Sequence, residues 1–255
     1  TQMHLDDPWP VRYVRFLGGA LKGDLGISYK LRRPVSDLIL QAFPNTLMLA
    51  FAAALVAWII GIPAGILSAV KQYSLPDHFF MGFSLLGVSM PVFWSALLFQ
   101  YVFGVKLHLL PVAGFYGWKY LILPAVVLGW SSCGTVARLT RSSLLEVMRS
   151  DYIRTARSKG VRELMVISGH ALKNSLLPVI TIMAMQVAFL LSGSVITESI
   201  FGIPGVGRIA IMAIQNRDMH LLQGSVLFTT VLVILGNLVA DLLYSTLDPR
   251  IRCDP

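Results

Sequence analysis

Charge is what this sequence has least of. Asp, Glu, Lys and Arg make up 13 % of its 255 residues, about half the share of an ordinary soluble domain. Hydrophobic residues make up 55 %, and the mean hydropathy is +0.70. So little charge cannot cover a water-facing surface, so the solvent is expected to be lipid. Cysteine is nearly missing: Cys133 lies in an apolar run and Cys253 near the end. Settings so different suggest neither a bridge nor a metal site; they read as a small packed residue and an incidental thiol. The five histidines, His4, His78, His108, His170 and His220, are scattered among loops and read as solvated or interfacial. No G-x-x-x-x-G-K-[ST], H-E-x-x-H or G-x-S-x-G occurs. The expectation is a protein without a nucleotide site, catalytic residue, metal site or cofactor of its own.

Long apolar runs fill the space. Asn45–Val70, Phe79–Val105, Tyr120–Ala137, Ser175–Thr197 and Leu221–Ala240 contain no Asp, Glu, Lys, Arg or His. A spanning helix takes about 20 such residues. The chain reads as an all-α integral membrane protein with five spanning helices. It divides into a segment at 1–44, a membrane domain at 45–247 with a loop at 140–175, and a tail at 248–255.

The net charge of +8 does not point to nucleic acid, because the basic residues sit in loops beside the spans and form no stripe with exposed aromatics. The region from Arg138 to Lys173 holds eight of them, which places it in the cytoplasm by the positive-inside tendency. Alternation puts Lys71 and the Arg250/Arg252 tail on that side and Lys106–Lys119 and Phe201–His220 outside. Residues 1–44 then lie outside by parity, although Arg12, Arg15, Lys22, Lys30, Arg32 and Arg33 pull the other way. Ionisable residues near the spans are Asp241 and Glu198. Asp241 follows Asn237 by one turn and is expected to pair with the Arg250/Arg252 tail. With no relay of charge in mid-membrane, an ion-driven carrier is disfavoured.

Val11, Val14, Leu17 and Leu21 recur at helical spacing with Arg12, Arg15 and Lys22 on other faces. This predicts a short amphipathic helix over 11–21, resting on headgroups, on a neighbouring subunit or on its own protein, and ended by Gly23-Asp24-Leu25-Gly26. The first span carries Ala53, Ala57, Gly61, Gly65 and Ala69 at four-residue spacing, a stripe against which another helix backbone packs closely. Pro63 predicts a kink there. In the second span, Ser89, Met90, Pro91 and Phe93 surround a proline that either breaks the helix beside a pathway or serves packing alone. Met183, Gln186 and Ser192 are the soft or polar residues of the fourth span and complete the candidate pathway lining. After it, Glu198, Phe201, Gly202, Pro204, Gly205 and Gly207 demand a tight turn; a lone glycine run of this kind does not make a phosphate site.

The loop at 140–175 is far longer than the usual connection of about 4–6 residues. Within it, Tyr152, Ile153, Arg154, Thr155, Ala156, Arg157, Lys159, Gly160, Arg162 and Glu163 suit a short helix that slots into a groove on a partner, with Gly160 allowing a sharp turn behind it.

This segment, with Leu177-Pro178 beyond it, resembles the coupling motif of ABC importer permeases, nominally E-A-A-x-x-x-G followed by Leu-Pro. Here the leading positions are Arg154, Thr155 and Ala156, so one alanine is kept, while Gly160 and Leu177-Pro178 match. The longer interval resembles the dipeptide, oligopeptide and nickel branch. So do Leu5-Asp6-Asp7-Pro8, Gly23-Asp24-Leu25-Gly26, Phe43-Pro44-Asn45-Thr46-Leu47, Ser89-Met90-Pro91, Ile200-Phe201-Gly202-Ile203-Pro204-Gly205-Val206-Gly207 and Leu247-Asp248-Pro249-Arg250. The resemblance implies a type I importer transmembrane domain of the first-permease kind, with one further helix expected before Thr1. It implies a homologous second permease, two cytoplasmic ATPases that hold the ATP and Mg, an extracytoplasmic binding protein, and a prokaryotic inner membrane. Di- or oligopeptides are the implied cargo, nickel or a metal chelate the alternative. A secondary transporter or channel is the reading from another class.

Overall fold

The stripe of small residues on the first span is where the fold is built. The computed structural model describes residues 8–247, apart from the side chains of Ser192, Gly193 and 243–247. Helix α1 covers Trp9–Ala20, and helix α2 runs Val35–Val70 with Pro44 and Pro63 inside it. At 1.5 Å per residue α2 is about 54 Å long, so it starts ten residues before the apolar stretch that announced it. The helix that holds the first span therefore begins at Val35, within the segment drawn at 1–44. Ala53, Ala57, Gly61, Gly65 and Ala69 are all buried along the face of α2 that meets α5, which covers Lys119–Met148. A Cβ at Gly61 would stand 2.9 Å from the Cys133 carbonyl oxygen, and one at Gly65 2.5 Å from that of Ala137. From the other side, a Cβ at Gly129 would meet the Ala53 carbonyl at 2.9 Å. Backbones this close gain dispersion contact that larger side chains would forbid.

Among the described residues three helices are long and apolar enough to cross a membrane, α2, α5 and α12 (Met219–Leu247), and three bent pairs bring the count to as many as six. The second predicted span is the sharpest of these. Helix α3 (Leu75–Ser89) and helix α4 (Val92–Phe99, continued as a π-helix over Gln100–Lys106) meet at 107°. Pro91 lacks the amide that would continue α3, and Met90 turns extended, so the ladder stops there. The break packs against α5: Gly134 of α5 admits close approach to Ser84, and Gly87 of α3 to Trp130.

The stretch expected as a loop from residue 140 is helical at its start, because α5 continues to Met148. Helix α6 (Asp151–Ser158) follows after Arg149 and Ser150. A short helix α7 (Glu163–Met165), a π-helical Val166–Ala171 and helix α8 (Leu172–Ser175) lead into helix α9 (Leu177–Gly193), bent by 51° at Leu176. The fourth span therefore does not run on to Thr197. Helix α10 (Val195–Phe201) and helix α11 (Val206–Gln215) form a hairpin-like pair at 82°, and α12 packs back on α9. The main core, with Leu49, Ala53, Val127, Leu128, Phe201 and Ile203, lies where α2, α5 and the α10–α11 turn converge.

Ahead of α2, residues 23–34 form a strap. Gly23 and Gly26 take positive φ, and Asp24 Oδ1 accepts the Gly26 amide at 2.9 Å. Ser28 Oγ donates to Asp218 Oδ2 at 2.5 Å. Burial opposes the charge of Asp218, yet the bonds from Ser28 and from the amides of Leu221, Lys30 and Tyr29 hold its carboxyl below the ordinary value of 3.8. His220, expected among solvated or interfacial histidines, packs edge-on against Tyr29 at 5.2 Å.

Candidate functional site

Three places gather the residues singled out by sequence. The first is the docking segment. Ile153 is 0 % exposed and packs with Ala69 of α2, Leu144 of α5, Val166 and Ala171, so α6 is rooted on the same end of the bundle as those helices. Tyr152, Arg154, Thr155, Arg157, Lys159 and Arg162 face outward, Ala156 half so. Helix α6 ends at Ser158 because Gly160 turns to φ +75°, and nothing lies within 4 Å of where its Cβ would be. The requirement there is conformational, not steric. Beyond the turn, Val161, Arg162 and Glu163 leave the helix. Glu163 reaches back to Arg157 through two bonds, 2.6 Å and 3.1 Å, which hold the guanidinium above its ordinary pKa. Asn174 Nδ2 donates to Tyr152 Oη at 3.0 Å.

The second is the broken span. Ser89, Pro91 and Phe93 are exposed and Met90 is half-buried at the bend. Aromatic rings brace it: Trp130 stacks on Phe99 at 5.5 Å and tilts against Phe83 at 5.4 Å, and Trp130 Nε1 donates to the Phe83 carbonyl at 3.2 Å. Met183 is elsewhere, in an apolar cavity of about 480 Å³ between α2, α9 and α12 that also touches Trp58, Val187, Leu232 and Gly236. Gln186 binds α9 to α5, Nε2 donating to the Ser132 carbonyl at 3.0 Å. Met183 and Gln186 are thus placed by the contacts of α9 with α2, α12 and α5. Ser192 lies outside the described side chains.

The third is the turn between α10 and α11. Glu198 is 0 % exposed, inside α10 and not at a helix end facing solvent. Its Oε1 accepts from Thr46 Oγ1 and from Ser194 Oγ, both at 2.7 Å, and its Oε2 from the Arg208 amide at 3.1 Å. Thr46 Oγ1 in turn accepts the Val206 amide at 2.9 Å, and Asn45 Nδ2 donates to the Pro204 carbonyl at 2.9 Å. The carboxylate thus satisfies an opening amide of α11, as negative groups do at helix N-termini. Gly202 takes φ +69° to end α10. Gly205 and Gly207 are needed for space: a side chain at Gly205 would collide with the Glu198 carboxyl and one at Gly207 with Val195. Phe201 is buried in the main core and Pro204 is exposed.

A helical protein with broken spans and a protruding basic helix has known counterparts. The family model described as "Binding-protein-dependent transport system inner membrane component" matches residues 61–252. The chain belongs to this family. It is 40 % identical to the dipeptide transport system permease protein DppB of Escherichia coli K12 over 283 residues, covering 99 % of this chain and 84 % of that protein. It is 39 % identical to the glutathione transport system permease protein GsiC of the same strain, over 98 % of this chain and 82 % of that one. Among solved structures, the inward-facing MetNI methionine ABC transporter superposes with a TM-score of 0.71 at 16 % identity, over 83 % of this chain and 96 % of that one. An amino acid ABC transporter follows at 0.66 and 15 %, over 83 % and 94 %. At such identities these two speak for the fold alone.

The fold of this family member is thus a multi-pass transmembrane domain of the ABC importer kind. Its structure also assembles residues that sequence reasoning missed. Asn45 and Thr46, named in the sequence only within Phe43-Pro44-Asn45-Thr46-Leu47, and Ser194 gain this role only in the fold, because a polar residue in an apolar run has no visible partner. Gln100 is similar; its Nε2 donates to the Val112 and Ile200 carbonyls at 2.8 Å and 3.2 Å, tying the second span to the outer turn. The faint signal for each is polarity in a stretch otherwise free of it. The proposed pairing of Asp241 with Arg250 and Arg252 lies outside the described residues, as do Cys253 and the 248–255 tail.

Proposed function

We propose that this chain is one permease subunit of an ATP-driven importer and forms half of a translocation pathway for di- or oligopeptides. It pairs with a homologous second permease, two cytoplasmic ATPases and an extracytoplasmic binding protein. The ATP and Mg belong to the ATPases. The observation that carries the reading is near-full-length similarity to two permeases named for peptide cargo, one for dipeptides and one for glutathione. For that reason peptides are preferred to nickel or a metal chelate. The docking geometry supplies the mechanism. Helix α6 presents Tyr152, Arg154, Arg157 and Lys159 outward while Ile153 roots it on α2 and α5. ATP-driven closure of the ATPases would draw two such helices together and swing the bundle between inward and outward access. The α10–α11 turn would cover the outer mouth and the break at Met90-Pro91 would line the path.

The test is transport in proteoliposomes holding both permeases, the ATPases and the loaded binding protein. ATP-dependent uptake of a labelled dipeptide is the expected result. Uptake by this chain alone along an ion gradient would replace the reading with a secondary carrier. Gly160→Pro is expected to lower uptake at least about fivefold, the lower end of an ordinary coupling free energy, and to abolish ATPase stimulation by the binding protein. Proline is fixed near φ −65° and cannot take the φ of +75° found here. Membrane insertion should be unchanged, and unchanged stimulation would remove the docking role from this segment.

A further inference from the structure

Arg141 and Asp77 form a two-pronged ion pair at the end of the bundle that carries the docking helix. Arg141 Nε donates to Asp77 Oδ1 at 2.9 Å and Nη2 donates to Oδ2 at 2.8 Å. The Tyr73 amide adds a third bond to Oδ2 at 2.9 Å, from a turn in which Tyr73 itself sits at φ +60°. Asp77 is 4 % exposed. Neither residue belongs to the docking surface, the break or the outer turn, so none of the roles above uses them.

Their position in the fold is what gives the pair meaning. Arg141 lies on α5 seven residues before its end, about 10 Å along the axis, and only Arg149 and Ser150 separate that end from α6. Leu144, one turn beyond Arg141, packs directly under Ile153 of α6. Any displacement of α6 therefore acts on the part of α5 that holds Arg141. Asp77 lies in the first turn of α3, and the buried residues of α3 are Asp77, Ser84 and Gly87. Phe79 and Phe83, on the intervening turns, are exposed. The ion pair is thus the buried polar attachment of the first half of α3, beside its apolar packing on α2, and the other end of α3 is the break at Met90-Pro91. An apolar contact allows sliding, whereas a guanidinium fork on a carboxylate sets both separation and angle.

We infer that the Asp77–Arg141 pair is a positioning device for transport: it ties the near end of the broken span to the helix bearing the docking segment, so that movement of α6 is delivered to the Met90-Pro91 break. The inference rests on the docking role given to α6 above.

The experiment uses the complete reconstituted complex and measures dipeptide uptake and ATP hydrolysis in the same proteoliposomes. Asp77→Asn and Arg141→Gln are expected to assemble and to keep binding-protein-stimulated ATP hydrolysis near the wild-type rate. The ratio of peptide taken up to ATP consumed should fall at least about fivefold. Arg141→Lys keeps the charge and loses the fork, so its ratio should lie between these and wild type. The double variant Asp77→Asn/Arg141→Gln should be no worse than either single one, because residues acting as one unit are not additive. A merely structural pair would change yield or melting temperature and leave the ratio alone. An unchanged ratio, additive losses, or failure of the single variants to assemble would each overturn the inference while a working wild-type complex left the importer reading intact. A wild-type complex without ATP-dependent uptake would overturn both.

Discussion

Glu198 is placed where a carboxylate has no water to turn to, and its oxygens are met instead by two hydroxyls and an amide. Such bonds to a charged group are each worth about 1.5–3 kcal/mol, and an orphaned buried partner costs as much. Glutamine has the same shape but offers one acceptor oxygen and an NH₂. The Thr46 and Ser194 hydroxyls can rotate to adapt, whereas the Arg208 amide cannot. Glu198→Gln should therefore lower stability by about 1–3 kcal/mol and loosen the turn locally. Hydrogen exchange is the measurement: amides of residues 203–210 should exchange faster than in the parent while those of α5 do not. Equal protection in both regions would mean that the carboxylate does not hold the turn. Sequence reading singled out Glu198, because an acid beside an apolar run is visible. Its burial and its partners are not visible there, because the donors lie up to 152 positions away.

Pairs of helices, not single helices, give the glycines their meaning. The spacing of Ala53, Ala57, Gly61, Gly65 and Ala69 is legible as a stripe, since a period of four marks one helix face. That its partner is α5 of the same chain is not: Ala125, Gly129, Cys133 and Ala137 form a matching row on α5, but a row on one helix does not say which other helix it meets. At Gly61 an added methyl would stand 2.9 Å from a backbone oxygen and at Gly65 2.5 Å, and backbone cannot swing aside as a side chain can. Both alanine variants should be overpacked, at a cost of about 1–3 kcal/mol, with Gly65→Ala the worse. The check is the thermal melt of the purified chain in detergent. A Gly65→Ala melt no lower than that of Gly61→Ala would show that α2 and α5 are not held as closely as these contacts require. The break in the second span follows the same logic: Pro91 announces an interruption, but the 107° bend is received by Trp130, Phe99 and the close approach of Gly87 of α3 to Trp130 and of Gly134 of α5 to Ser84.

At the scale of the whole molecule, helix parity places residues 1–44 outside the membrane while their basic residues pull the other way. Ser28 is buried against Asp218, so the exposed Lys30 in the same strap is the better reporter, with exposed Ser158 after α6 as its opposite. With Cys133 and Cys253 replaced, Lys30→Cys should react with an impermeant thiol reagent added outside intact cells, and Ser158→Cys only after the membrane is opened. Labelling of Lys30→Cys from the cytoplasmic side alone would reverse the orientation and take α6 away from any cytoplasmic ATPase. What the amino-acid sequence determined by itself was whatever depends on neighbours in the chain: the solvent, from composition; the spans, from runs without charge; the outward-facing helix α6, from a basic, periodic stretch ended by Gly160. What only the tertiary structure decided was the pairing of lone polar residues, Asp77 with Arg141, Ser28 with Asp218 and Thr46 with Glu198. The reason is physical. Local periodicity shows which face of a helix a residue occupies, but a hydrogen bond across tens of residues exists only once packing has chosen which faces meet.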